Sequence, residues 1–96
     1  MANALDIATI EAALSELPGW SLQDNRLVKE FTLRNFREAI SFMVRLSFDA
    51  EQLDHHPELF NVYNRVKVEL TTHDAGNRVT EKDVALAKAI ESFSWI

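Results

Sequence analysis

Two polar pairs, Asp24-Asn25 and Asn64-Arg65, each interrupt a run in which apolar and polar residues alternate. Alternation with period two puts one face of a strand in a core and the other in water. A short turn between two such runs closes a hairpin, and Asp and Asn tolerate the positive φ that tight turns need. In the first, Trp20 to Gln23 and Arg26 to Leu33 flank the turn; Leu27, Phe31 and Leu33 share one face, with Val28, Glu30 and Thr32 on the other. In the second, Leu59 to Tyr63 and Val66 to Thr72 flank the turn. Val66, Val68 and Leu70 face one way there, and Lys67, Glu69 and Thr71 the other.

Helical stripes precede, separate and follow the hairpins. Ile7, Ile10, Leu14 and Leu17 predict a first helix, with Asp6 as its N-cap and Pro18-Gly19 as its stop. Asn35 to Glu38 reads as a capping box opening the longest helix. Its stripe runs through Phe36, Ala39 or Ile40, Met43, Leu46 or Ser47, Ala50 and Leu53. Pro57 ends this helix by about His55, because the residue before a proline is pushed out of the helical region. Thr80 to Asp83 caps a last helix carrying Val84, Ala87, Ile90 and Phe93 or Ser94. The predicted order is α-β-β-α-β-β-α in a single domain, residues 1–96. One four-stranded antiparallel sheet with three helices on one face, a two-layer α+β fold, buries every stripe at once.

Composition narrows the partners. The net charge is −5 and the ten basic residues are scattered, so no nucleic-acid partner is expected, since phosphate binding rests on clustered Lys and Arg. No apolar run approaches the ~18 residues of a membrane span, and no basic stretch followed by a long apolar one opens the chain. The expectation is a cytoplasmic protein with no membrane partner. Cysteine is absent, which removes disulfides and thiolate chemistry.

Histidine then becomes the group that titrates near neutrality, and there are three: His55 and His56 in the run Glu51-Gln-Leu-Asp-His55-His56-Pro57, and His73 about one hairpin later. With Asn64-Arg65 as a two-residue turn, Tyr63 pairs with Val66, so His56 falls opposite His73 and Pro57 opposite Thr72. Directly opposed residues have Cβ atoms about 4.5–5.5 Å apart. Glu51 lies four residues before His55, on the same helical face, where a carboxylate would fix that ring. Asp54 would accept from either ring or face solvent.

Each residue also has a plainer reading. His55 alone would be a favourable contact with the helix dipole, His73 a solvated strand end, Glu51 a surface acid and Trp20 a core residue. Asp83 would be the acid of the last capping box. Zinc takes three imidazoles plus water, but neighbouring histidines before a proline seldom aim both rings at one ion. No carboxylate falls at familiar ligand spacing, so no metal is expected.

The pattern Glu51-x3-His55-His56-Pro57-x5-Tyr63-x9-His73-x9-Asp83 resembles the signature of the pterin-4a-carbinolamine dehydratases. The likeness extends to Leu17-Pro-Gly-Trp20, Phe36 to Phe42, Phe60-Asn-Val-Tyr-Asn64 and Thr71-Thr-His-Asp74, and covers essentially the whole chain. One departure is Asn77-Arg78-Val79, where members often have Gly-Leu and a loop about one residue shorter. The resemblance implies dehydration of 4a-hydroxytetrahydrobiopterin to quinonoid dihydropterin, with no metal or organic cofactor. It implies that His55 and His73 form the acid/base pair and that His56 chiefly binds the pterin. Glu51, Asp54, Pro57, Trp20, Thr72 and Asp83 are the implied substrate-binding residues. It further implies a homodimer or homotetramer, and an aromatic amino acid hydroxylase in the same pathway. The alternative is a non-catalytic oligomeric interaction module, a dimerisation cofactor or assembly chaperone.

Overall fold

The structure, a computed structural model, describes residues 3–93. Ser94, the alternative end of the last stripe, lies outside the described residues, as do Met1 and Ala2 at the start of the segment read as lacking a leader. Helix α1 (Ile7–Leu14) is followed by strands β1 (Ser21–Gln23) and β2 (Arg26–Thr32), helix α2 (Phe36–Leu53), strands β3 (Glu58–Val62) and β4 (Arg65–Leu70), and helix α3 (Glu81–Phe93). A short 3-10 turn, His73–Ala75, sits between β4 and α3. The strands form one antiparallel sheet in the order β1-β2-β4-β3, with the helices on one face, so the two-layer α+β expectation holds.

Local chemistry explains the boundaries. Asp6 accepts from the Thr9 amide at 2.8 Å and caps α1. Asp24 and Asn25 both take positive φ, 50° and 61°, and close the first hairpin as the sequence predicts. Asn35 is extended and accepts from the Glu38 amide at 2.9 Å, capping α2. The Glu38 carboxylate turns to Arg34 instead of completing a reciprocal box.

The second hairpin departs from expectation. Val62 pairs with Arg65, which makes Tyr63-Asn64 the turn, and Tyr63 takes the left-handed φ of 52°. Asn64 is committed elsewhere: its carbonyl accepts from the Leu33 amide and its side chain donates to the Leu33 carbonyl, tying the turn to the end of β2. Asn61 donates to the carbonyls of Tyr63 and Arg65 and braces the bend from within. The ladder therefore does not set His56 opposite His73; both residues lie beyond the strands.

Leu27, Phe31, Val66, Val68 and Leu70 line the inner face of the sheet and meet Ala39, Phe42, Leu46 and Ala50 of α2 with Leu86, Ala87 and Ile90 of α3. Phe42 is fully buried between the rings of Phe31 at 4.7 Å and Phe93 at 5.8 Å; cutting such a residue to alanine costs about 3–5 kcal/mol. The stripe predicted for α2 is partly wrong. Phe36 and Leu53 are exposed at 50% and 40%, and Phe42 takes the central core position. The cause is a second apolar row on this helix, Phe36, Ile40, Val44 and Phe48, which faces solvent. No helix among the described residues is long and apolar enough to cross a membrane.

Candidate active site

Three chain ends meet beside the sheet: the C-terminus of α2, the segment after β4 and the N-terminus of α3. Asp54 ends α2 in the left-handed conformation, φ 52° and ψ 45°. Its amide reaches back to the Glu51 carbonyl, and the His55 amide to that of Ala50. This reversal satisfies the last carbonyls of the helix and cancels the helical spacing on which a Glu51–His55 contact depends.

The two neighbouring rings part company here. His55 turns inward and is buried, with Nε2 2.5 Å from Asp83 Oδ1. His56 turns outward, and its Nε2 lies 3.1 Å from Glu51 Oε2, with both side chains largely exposed. Glu51 thus accompanies His56, not His55 as the spacing suggests.

Asp83 does two things at once. It is the capping-box acid of α3: its Oδ2 accepts from the Thr80 amide at 2.9 Å, while Thr80 Oγ1 accepts from the Lys82 amide at 3.2 Å. The same Oδ2 accepts from the Thr72 hydroxyl at 2.8 Å, and Oδ1 meets His55. The carboxylate is fully buried and lies behind two residues that border the cavity, His55 and Thr72. A buried carboxylate is tolerated only when it is satisfied in this way.

His73 opens the 3-10 turn after β4. Thr72 holds that turn at its base: its amide donates to the Arg78 carbonyl, and its carbonyl accepts from the amides of Ala75 and Asn77. Gly76 and Asn77 take positive φ, 73° and 59°, which lets so short a loop return. His73 itself is exposed.

One cavity of about 250 Å³ is lined by Asp54, His55, His56, Thr72, His73, Asp74 and Lys82. All three imidazoles border it, brought together by loop geometry where strand register was expected. A larger cleft of about 580 Å³ shares Asp74 and Lys82 with it and extends towards Asn3 and Leu5. Asp74 and Lys82 are not among the site residues that the sequence predicts. Asp74 lies in the Thr71-Thr-His-Asp74 run; Lys82 carries no signal in the sequence, since a cation in the first turn of a helix looks like surface.

Other candidates lie apart. Pro57 is half-buried but does not border the cavity. Trp20 belongs to the core, edge-on to Phe31 with centroids 6.1 Å apart, and its Nε1 donates to Glu91 Oε2 at 3.0 Å. Glu91 is two turns further along α3 than Asp83, about 12 Å at 1.5 Å per residue, so the indole packs far from the histidines. No group of three or more His, Asp or Glu side chains that could hold a metal ion occurs among the described residues.

Residues 3–93 match the family model described as pterin 4 alpha carbinolamine dehydratase. A relative from Opitutus terrae, named for pterin-4-alpha-carbinolamine dehydratase, is 52% identical over 96 residues, covering 100% of this chain and 99% of its own. One from Rhizobium leguminosarum with the same name is 53% identical over 89 residues, 91% of this chain and 87% of its own. The crystal structure of a transcriptional coactivator/pterin dehydratase from Brucella melitensis superposes with a TM-score of 0.88 at 40% identity, covering 94% of this chain and 97% of that one.

Proposed function

Because the chain belongs to the pterin 4 alpha carbinolamine dehydratase family, we propose that it dehydrates 4a-hydroxytetrahydrobiopterin by histidine acid/base catalysis in the cavity bordered by His55, His56 and His73. The observation that carries this reading is the convergence of all three imidazoles on one cavity, with His55 backed by a buried carboxylate. Loss of water needs a proton delivered to the C4a hydroxyl and a proton removed from a pterin nitrogen. The nitrogen lone pair expels the leaving group as the C4a–O bond breaks, giving water and quinonoid dihydropterin. Positioned acids and bases near neutrality supply about 10²–10⁴-fold each in such steps.

His55 and His73 are the acid/base pair in this reading, and His56 binds the pterin from the rim. Asp83 orients the His55 ring and stabilises positive charge as it develops there, the role a buried acid takes behind a catalytic histidine. Asp54 borders the same space and accepts from pterin nitrogens. Glu51 and Pro57 shape the rim around His56, whereas Trp20 supports the fold. The carbinolamine comes from an aromatic amino acid hydroxylase, and the chain works in the cytoplasm as a single domain.

A homodimer or homotetramer is also proposed. The exposed row Phe36, Ile40, Val44 and Phe48, and the edge strand β3 with Leu59, Phe60 and Val62 at its surface, supply apolar area for subunit contact. The non-catalytic module is the weaker alternative, because it leaves the meeting of three imidazoles at one cavity unused.

Dehydration of enzymatically generated carbinolamine, measured with the native protein and with a folded His73→Ala variant, tests the assignment. Turnover by the native protein and its loss in the variant are expected. An inert native protein would favour the module instead.

A further inference from the structure

We propose that Thr72 and Thr80 are positioning residues which, through Asp83, hold His55 with its proton on Nε2 and so make Nδ1 the atom that exchanges protons with substrate. The inference rests on the dehydratase reading for its chemistry but on hydrogen-bond bookkeeping for its geometry.

Four short contacts connect the groups: Lys82 amide to Thr80 Oγ1 at 3.2 Å, Thr80 Oγ1 to Thr72 Oγ1 at 2.7 Å, Thr72 Oγ1 to Asp83 Oδ2 at 2.8 Å, and Asp83 Oδ1 to His55 Nε2 at 2.5 Å. A hydroxyl has one proton to give and an ionised carboxylate has none. Thr72 must therefore spend its proton on Asp83. It follows that Thr80 donates to Thr72, and Thr80 in turn accepts from the Lys82 amide. Every bond in the chain then has a single direction, ending at the carboxylate.

Oδ2 already accepts twice, from Thr72 and from the Thr80 amide. Two donors on one oxygen hold the carboxylate as an acceptor and fix its plane, which leaves Oδ1 to accept from Nε2–H. The other ring nitrogen, Nδ1, has no hydrogen-bond partner among the described residues. No buried side-chain nitrogen or oxygen there lacks a partner, so Nδ1 keeps contact with solvent. The opening that His55 borders is the histidine cavity. Proton exchange with a ligand thus falls to Nδ1. As acid, the doubly protonated ring gives its Nδ1 proton to the C4a hydroxyl, water departs, and the neutral Nε2–H form remains.

Thr72 borders the cavity but has no hydroxyl proton left for substrate. Its part is to keep the carboxylate from rotating. A change there should act on kcat more than on KM.

Long-range proton–nitrogen correlation spectra of the ligand-free, 15N-labelled protein read which ring nitrogen of His55 carries hydrogen. Above the pH at which the ring is doubly protonated, a protonated Nε2 and a bare Nδ1 are expected. Thr72→Val should mix the two tautomers and lower kcat by about 10-fold or more, the rate equivalent of one lost hydrogen bond to a charged group, with KM within about twofold. Thr72→Ser, which keeps the hydroxyl, should retain the native spectrum and a kcat within about threefold of native. A proton on Nδ1 in the native or the serine protein overturns the proposal, as does a valine variant with native spectrum and rate. Should the native protein turn over no carbinolamine, the dehydratase reading falls, while the spectra still decide the tautomer.

Discussion

His55 and His56 are neighbours in the chain and border the same cavity, yet they are held by different means. His55 is buried against an acid that itself accepts from the Thr72 hydroxyl and the Thr80 backbone amide. His56 meets an acid across a rim where the two side chains are 63% and 74% exposed. Buried, mutually satisfied polar groups cost several kcal/mol to disturb, because whatever is left behind is unpaired and dry. An exposed ion pair contributes about 0–1 kcal/mol and competes with water. One wall of the cavity is preorganised and the other is adaptable.

Removing the acid of the buried wall gives the largest expected effect. Asp83→Ala takes away a helix cap and strands the Thr72 hydroxyl, the Thr80 amide and His55 Nε2, for a loss of about 2–4 kcal/mol in chemical denaturation. Its activity should fall with it. If stability changes by less than about 0.5 kcal/mol, the buried wall is not a unit and the contrast between the walls collapses.

His73→Ala separates chemistry from folding. His73 is exposed at the start of a 3-10 turn, so the melting curve should hardly move while kcat falls by about 10²–10⁴-fold. A full loss of stability alongside activity would give His73 a structural task instead.

The pH profile sharpens the comparison at intermediate size. With one imidazole giving a proton and another taking one, kcat/KM should be bell-shaped about neutrality, and its two limbs belong to the cluster rather than to single rings. A flat profile between about pH 5 and 9 counts against a histidine pair.

Glu51→Gln should do least. It removes only the exposed partner of His56, so stability should stay within about 0.5 kcal/mol and kcat/KM within about threefold. Raising salt should erase even that difference, since exposed pairs are screened and the buried one is not. An effect as large as that of Asp83→Ala would mean that the rim becomes buried when substrate or another subunit is present.

The same contrast explains what could be read from the sequence. The element order followed from stripes and turn residues, and the first hairpin was legible because Asp24 and Asn25 both adopt the conformation their chemistry favours. The second hairpin was not, because Asn64 is drawn to Leu33 by a contact that no local pattern encodes. On α2, two apolar rows compete, and periodicity cannot tell which one the sheet covers. The pairing of His56 with Glu51 escaped the helical arithmetic because Asp54 reverses the chain between them. Asp83 showed its local role, the cap, in its spacing from Thr80. Its bond to His55 joins residues 28 apart in sequence and depends on tertiary packing alone.

All the side chains around the histidine cavity come from residues 54–82, with Asp83 directly behind; α1 and the first hairpin contribute none. Along its length the chain thus divides into a stretch that supports the cavity and a stretch that lines it. Substitutions in the first forty residues reach that cavity through the packing of the sheet and α2 and, at Phe36 and Ile40, through the proposed subunit contact. A change of length between Asp54 and Asp83 instead falls within the segment that supplies the cavity's side chains.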